Sequence, residues 1–409
     1  MSSTTTTIKI ALIGAGPASL TLANILQNHS IPFTVYEAAS GFRNQGGSLD
    51  LHPRAGQAAL KEAGCWDLFK KYARPESDVM KLMDTHGEVV WDENGPDKVD
   101  VPEGQEFEGR PEIDRSKLME LLYANLKPEA VIFNKKLLKA VPSTLSTSKY
   151  DLHFSDNTTE TDFDLVVGGD GAWSRVRELL TDAKPQYSGI TALEIWANDA
   201  ETKHPWIHDF VGAGSMFAFG EGCAVQAQRQ GDGSIRTYAS LRVPEDFLDT
   251  CGVDFTNIDT AREEYVNKYF SDIHPDLKKL VIESSDATIP RKLYELPVGF
   301  HWPSRSGVAL IGDSAHVMTP FAGVGVNVGM VDALQLAQQI IATTKGEKTL
   351  DEAIAEYEKE LFPRAAQFAT KTEKGKRKHF SAEGAKDMGD MLRAHKGAGS
   401  QNPRAVQQK

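Results

Sequence analysis

Ile8-Lys9-Ile10-Ala11-Leu12-Ile13-Gly14-Ala15-Gly16-Pro17-Ala18-Ser19, continued by an apolar run to Asn28 and by Ile31-Pro32-Phe33-Thr34-Val35-Tyr36-Glu37, decides the fold. It reads as a strand, a glycine turn, a helix and a second strand closed by an acid. That order and spacing are those of a dinucleotide-binding βαβ unit. Gly14 lets the chain turn sharply out of the strand. Gly16 has no side chain, so a pyrophosphate can approach the backbone. A helix starting near Pro17 aims unpaired N–H groups, worth roughly half a positive charge, at that phosphate. Pro17 suits a first helical position, where no N–H partner is needed. Glu37 is placed to accept hydrogen bonds from a ribose, and its charge disfavours a 2′-phosphate. Ser19 replaces the third glycine of the fingerprint and is small enough for helix and strand to pack closely. The unit alone fits NAD or FAD equally.

The 409 residues provide for two domains with ample cores. Hydrophobic content of 40% and charged content of 25% fit a soluble globular chain. A net charge of −12 argues against a nucleic-acid partner. Cys65, Cys223 and Cys251 are widely spaced and odd in number, without metal or redox spacing, so reduced thiols and no metal are expected. No apolar run is long enough to span a membrane. Residues 1–7 lack the basic region and apolar core of a secretory signal and read as a short disordered lead-in. A cytoplasmic protein is the default expectation.

Two more tracts repeat the strand-then-glycine pattern. Phe163-Asp164-Leu165-Val166-Val167 runs into Gly168-Gly169-Asp170-Gly171, and a helix carrying Ser174, Arg175 and Arg177 is expected next. Gly307-Val308-Ala309-Leu310-Ile311 ends on Gly312-Asp313, at the carboxyl end of a strand, where such sheets bind ligands. Gly323 and Gly325 then leave bare N–H groups at a helix start. Between these tracts, Gly189 to Val243 reads as strands (190–197, 216–219, 223–229 and 235–243), with no helix-period stretch among them and a hairpin at Gly231-Asp232-Gly233. Lys81 to Trp91 reads as another hairpin, and Asp114 as the cap of a helix opening at Arg115. Helices are expected at 261–270, 276–282 and 350–370. The cluster Lys371, Lys374, Lys376, Arg377 and Lys378 reads as a solvated helix face, and the chain from Gly397 to Lys409 as disordered.

Together the three tracts resemble the single-component FAD-dependent aromatic hydroxylases. Gly14–Ala18 matches the adenine-dinucleotide motif, Asp170-Gly171 with Ser174 and Arg177 the second motif, and Gly312–His316 with Pro320 and Gly323–Asn327 the third. Gly46–His52, Pro111–Arg115 and Pro320–Gly323 are most similar to the tetracycline-inactivating monooxygenases. The resemblance implies an α/β fold: a Rossmann-like FAD domain at 1–75, 106–187 and 291–345, a hairpin at 76–105 and a mixed β-sheet substrate domain at 188–290. A C-terminal helical segment at 346–396 and the tail at 397–409 complete it.

It also implies the site. Gly14, Gly16, Pro17, Ala18, Glu37, Ala38, Arg43, Gly47, Asp50, Arg115, Leu138, Asp170, Asp313, Pro320, Gly323, Gly325, Val326 and Asn327 would hold FAD. Among them Glu37 would hold the adenosine ribose, Leu138 would lie by the adenine, and Gly323 to Asn327 would face the flavin's N1–C2=O edge. Glu194, Ser215, Gln226, Arg236, Pro320, Phe321, Ala322 and Gly323 would face the substrate. Ser215, Gln226 and Arg236 stand where the tetracycline enzymes have Arg, Phe and His; Glu194 replaces a Gln, and Val324 the usual Gln of the third motif. His52, Glu194 and Arg236 are the catalytic candidates, as groups that polarise a phenol or enol; for His52 and His316 a structural role competes.

The implied chemistry is reduction of FAD by transiently docked NADPH, formation of a C4a-hydroperoxide with O2, and hydroxylation of an aromatic or polyketide-like small molecule by a monomer. No second GxGxxG follows a strand, in keeping with transient docking. The competing readings are another FAD oxidoreductase, an oxidase or halogenase, and a non-enzymatic nucleotide-binding module. The tryptophan-pair motif of halogenases is absent from the sequence.

Overall fold

The computed structural model describes residues 8–42, 46–98, 101–144, 146 and 148–397. Arg43, the expected lead-in at 1–7 and the tail from 398 lie outside them. Ile10–Ile13, wholly buried, is the central strand of a parallel sheet ordered Val308–Leu310, Leu165–Gly168, Ile10–Ile13, Phe33–Tyr36, Val131–Ile132. Burial on both faces explains why these strands are continuous apolar runs rather than alternating ones.

Gly14 has φ +91°, and a Cβ there would stand 2.5 Å from the Gly169 carbonyl oxygen, so the turn requires glycine. The helix Pro17–Asn28 follows and packs along the helix Gly325–Thr344. Their approach depends on small residues: a Cβ on Gly329 would lie 3.5 Å from Ala18 Cβ and 3.2 Å from Gly312 Cα. The first and third glycine tracts are therefore neighbours in space.

The second sheet is mixed and has seven strands, ordered Ala287–Glu295, Gln186–Ala197, Ile235–Arg242, Cys223–Arg229, Ser215–Gly220, Met80–Asp84, Val89–Asp92. Met80–Asp84 runs parallel to Ser215–Gly220, and the other pairs are antiparallel. Leu193, Ile195, Ala218, Val225 and Ala239 bury one face against Ile207, Tyr265, Leu277 and Leu280 from helices Pro205–Val211, Ile258–Tyr269 and Pro275–Glu283. The period of two sends Glu194, Trp196, Gln226, Gln228, Arg236 and Tyr238 to the opposite face. The outer strands begin at 186 and end at 295, a few residues beyond the expected limits of 188 and 290.

A helix Leu350–His379, opened by a Thr349–Glu352 capping box, and a helix Gly384–Gly397 close over that second face through Phe321, Phe219, Trp91 and Phe380. A ribbon of Ser48–Asp50 and Glu112–Asp114 lies apart from both large sheets.

Four expectations are corrected. Two short helices, Ala200–Lys203 and Pro205–Val211, interrupt the strands of 189–243. After Asp170 the chain makes turns and a short 3-10 helix, Arg177–Leu179, in place of an α-helix. Its groups bond back on the turn: Ser174 Oγ and the Arg175 N–H both donate to Asp170. Asp114 does not cap the helix Arg115–Ala124, because its carboxylate accepts from Arg74 Nη1 at 2.8 Å and from the Gly231 N–H. The basic cluster is only partly solvated, since Lys376 turns inward to Glu295 at 2.6 Å and Glu373 at 2.7 Å.

Candidate active site

The first motif is pinned from behind by Glu37. The Ala15 N–H donates to Glu37 Oε2 and the Ala39 N–H to Oε1, both at 2.7 Å. The acid that ends the second strand thus fixes the glycine turn as well as standing at its rim, with Ala38 exposed beside it. The helices Pro17–Asn28 and Gly325–Thr344 both begin without a side-chain cap and without an acid in the first turn. Each leaves N–H donors unmet. Two such ends side by side suit one long anionic ligand, with a pyrophosphate at the first and the hydrogen-bond-accepting N1–C2=O edge of a flavin at the second. The residues present therefore fit FAD.

Several of the expected cofactor residues are solvent-exposed. Asp313 is exposed in the first turn of Asp313–His316, Pro320 and Gly323 are exposed, and Leu138 is exposed on the strand Leu137–Pro142. Arg115 is exposed with its stem against Gly46, where a Cβ would lie 2.7 Å from Arg115 Cδ. Asn327 is buried and does structural work. Its side chain accepts from the N–H groups of His52, at 2.8 Å, and Gly56, and donates to the Asp50 carbonyl at 2.8 Å. That ties the third tract to the segment 50–56. A Cβ on Gly323 would lie 3.9 Å from Asp50 Oδ1, so the Asp50 carboxylate stands beside the glycines of the third tract. Burial would raise Asp50, but the His52 hydrogen bond and the Arg110 charge hold it below the usual carboxylate range.

Asp170 and Asp332 brace backbone. Asp170 accepts from Ser174, Arg175 and Ser314, linking the second motif to the third. Asp332 is fully buried and accepts from the Gly312 N–H at 2.8 Å and from Arg364 Nη2 at 2.8 Å, with His316 Nε2 at 2.6 Å. Burial alone would lower His316, but the Asp332 charge raises it; Asp332 itself is held low by His316 and Arg364 against its burial. His316 is thereby a brace of the third motif.

On the polar face of the mixed sheet, strand register sets two adjacent rows. Phe217, Gln226, Tyr238 and Glu194 form one, and Ser215, Gln228, Arg236 and Trp196 the other. The four expected sheet residues fall in these rows. Glu194 accepts from Trp196 Nε1 at 2.9 Å and from Arg291 Nε at 2.7 Å. Arg236, 1% exposed, lies with its guanidinium 3.8 Å above the Trp196 ring and Nη1 3.8 Å from Glu194. Burial, reinforced by Glu194, pushes the Tyr238 phenol up to about 12, so it remains a donor. A Cβ on Gly47 would stand 2.6 Å from Gln228 Oε1 and 3.7 Å from the Tyr238 hydroxyl, so the loop before Ser48 reaches these rows. Phe321 is buried among His379 and Phe380, under the long helix.

Trp196, Gln228, Tyr238, Arg291, Arg110, Glu112 and Asp332 escaped the sequence reading. The alternation of 235–242 carried a signal for Tyr238; the others depend on partners far away in the chain.

Comparison with known proteins gives the family and the fold. The chain belongs to the FAD binding domain family, whose model matches residues 7–372. It is 32% identical over 383 residues to the monooxygenase asqM of Emericella nidulans, covering 81% of this chain and 83% of that protein. It is 30% identical over 441 residues to the monooxygenase penA of Penicillium thymicola, covering 95% and 99%. Its fold resembles that of the tetracycline destructase Tet(55), with a TM-score of 0.69 and 17% identity over 94% of each chain. The chain is an FAD-dependent monooxygenase.

Proposed function

We propose that this FAD-dependent monooxygenase hydroxylates a small electron-rich ring bearing an acidic hydroxyl, a phenol or the enol of a polyketide-like scaffold, with tetracyclines among the scaffolds to be tried. The observation that carries the reading is the Arg236 guanidinium, buried on Trp196 beside Glu194 on the sheet face that the cofactor loop 46–50 reaches. A guanidinium in a low-dielectric site favours a bound phenolate or enolate over the neutral form, and an ionised ring is the better nucleophile toward an electrophilic oxygen. Glu194, itself held by Arg291, keeps the guanidinium in register. Tyr238 donates to the same oxygen. Ser215, Gln226 and Gln228 select the remaining polar groups of the ring system. His52 acts behind the flavin site, on Asp50, rather than on the substrate.

FAD, when bound and reduced by NADPH, supplies the activated dioxygen. The chain's own contribution there is to grip the pyrophosphate and the flavin edge at two uncapped helix ends and to bring the sheet over them, excluding water. NADPH docks transiently, and the setting is a cytoplasmic monomer with no membrane or nucleic-acid partner. The test is a panel of phenols, hydroxylated heteroaromatics and polyketides, tetracyclines included, assayed for stimulated NADPH oxidation and for product oxygen from labelled O2. Ring hydroxylation with one labelled oxygen is expected. NADPH oxidation that yields only hydrogen peroxide with every compound would sink the assignment.

A further inference from the structure

The C-terminal half of the helix Leu350–His379 is fixed both to the third glycine tract and to the mixed sheet. Thr372 Oγ1 donates to the Thr319 carbonyl at 2.6 Å, and a Cβ on Gly375 would collide with the Phe321 carbonyl. The helix therefore lies directly on the loop that carries the third tract. Lys371, one residue before Thr372, is half-buried beside Arg110 and Asp50. From the sheet, the Gly222 N–H, in the turn between Ser215–Gly220 and Cys223–Arg229, donates to the Phe380 carbonyl at 3.3 Å. His379, at the helix end, is thereby held over the polar face of the sheet.

His379 is 8% exposed. Its ring centroid lies 4.0 Å from that of Phe219, 5.2 Å from Phe321 and 6.2 Å from Phe217. Phe217 is half-buried and begins the row that runs through Gln226 and Tyr238 to Glu194. His379 Nδ1 lies 2.8 Å from the Gly375 carbonyl oxygen, which can only accept, so Nδ1 carries the proton. No ion pair reaches the ring among the described residues, and burial brings its pKa down to about 4, so the imidazole is neutral at pH 7. A neutral imidazole protonated at Nδ1 has an acceptor at Nε2. That nitrogen lies on the side of the ring away from Gly375 and meets no donor among the described residues. A buried acceptor left without a donor is costly, and a ligand that brings a donor removes the cost.

We propose that His379 Nε2 accepts a hydrogen bond from a hydroxyl or N–H of the substrate, at the end of the sheet face away from Arg236, and so selects scaffolds of two or more fused or linked rings. This rests on the reading above that the substrate lies on this face. The size follows from the register. Arg236 stands two strands away from Ser215–Gly220, in the row of Ser215, two residues before Phe217 and four before Phe219. At ~4.8 Å per strand and ~3.3 Å per residue, acceptor and guanidinium stand about 12–16 Å apart. Two hydrogen bonds of about 2.8 Å leave roughly 6–11 Å between the polar atoms of the ligand, more than one ring provides.

Equilibrium binding to the FAD-loaded protein, without NADPH, tests this apart from turnover. The diol 2,6-dihydroxynaphthalene offers a donor at each end, and 6-methoxy-2-naphthol replaces one of them by an ether. The wild type should bind the diol about tenfold more tightly than the ether, the difference of one hydrogen bond. His379→Phe keeps a ring against Phe219 and Phe321 but has no nitrogen, so the preference should vanish there with FAD content unchanged. Hydroquinone, too short to reach both ends, should show no preference over its monomethyl ether in either protein. If the variant does not fold, nitrogen NMR of histidine-labelled wild type serves: the diol should shift one unprotonated Nε2 signal and the ether should not. Equal affinity for diol and ether in the wild type, a preference that survives in His379→Phe, or the same preference with hydroquinone overturns the proposal. If neither naphthalene is hydroxylated once NADPH is added, the function reading loses support, while the binding preference still decides the role of His379.

Discussion

The third glycine tract and the polar face of the mixed sheet meet across the loop 46–50, yet they are built on opposite plans. In the glycine tract, side chains hold backbone. Asp332 accepts from the Gly312 N–H, Asn327 from those of His52 and Gly56, and Glu37 does the same at the first tract. The binding surface is then the backbone itself. On the sheet, backbone holds side chains: register alone aligns Ser215, Gln228, Arg236 and Trp196 in one row and Phe217, Gln226, Tyr238 and Glu194 in the next. Losing a side chain in the first plan loosens the fold and the cofactor together. In the second it changes what is recognised and leaves the fold standing.

The strongest test of the first plan is Asp332→Ala. It strips a fully buried partner from His316, Arg364 and the Gly312 N–H at once. Removing one partner of a buried ion pair costs about 3–5 kcal/mol. Denaturant unfolding at pH 7 should show a loss of that order, with FAD lost in parallel. The pH dependence has a definite sign. Asp332 sits below its ordinary value of 3.8, so its share of stability is present above that pH and is lost as pH falls through the lowered value. His316 sits above 6.5, so its share is complete below that pH and is lost as pH rises through the raised value. Asp332→Asn should flatten both limbs. An unchanged unfolding midpoint in Asp332→Ala would erase the contrast between the two regions.

Arg236→Met probes the second plan. The guanidinium is buried on Trp196, a long apolar side chain refills that volume, and Glu194 keeps Arg291 and Trp196 as partners, so the loss of stability should be smaller than in Asp332→Ala. Loss of one charge-stabilising donor typically costs ~100-fold in rate. The expected result is a drop of that size in kcat/KM for phenolic or enolic substrates, with FAD content unchanged. A variant that loses its flavin would show that Arg236 belongs to the cofactor's support.

The same contrast explains what the sequence disclosed. Backbone sites are written locally: Gly14, Gly16, Gly312 and Gly323 stand at fixed distances from strand ends, and glycine has few other reasons to cluster there. All three tracts, and the parallel sheet they imply, were legible for that reason. The sheet's rows are written non-locally. Glu194 meets Arg291 across 97 residues, and Asp114 meets Gly231 across 117, so neither partner predicts the other. The two helices at 200–211 were hidden because they are four and seven residues long, too short to establish a period. Asp114 has the form of a helix cap and is drawn off by Arg74, a tertiary contact that local patterning does not contain. Lys371 and Lys376 look like surface charge in the sequence, and only the path of the long helix turns them inward.

The smallest expected effect concerns the one departure inside the first motif. If the third fingerprint glycine served the phosphate directly, Ser19 would weaken the site. The geometry assigns it to packing instead. Ser19 is 1% exposed, and a Cβ on Gly169 would lie 2.0 Å from its hydroxyl oxygen, so Gly169 supplies from the neighbouring strand the room a glycine would have left. The Ser19 hydroxyl is buried without a hydrogen-bond partner among the described residues. An unsatisfied buried polar group costs ~1–3 kcal/mol, and alanine is the better helix former. Ser19→Ala should therefore raise stability by about 1 kcal/mol in denaturant unfolding and leave the FAD dissociation constant within ~3-fold, a small shift on the scale of 1.4 kcal/mol per tenfold. A tenfold weaker hold on FAD would mean that the hydroxyl reaches the pyrophosphate after all, and that side chains as well as backbone make the grip.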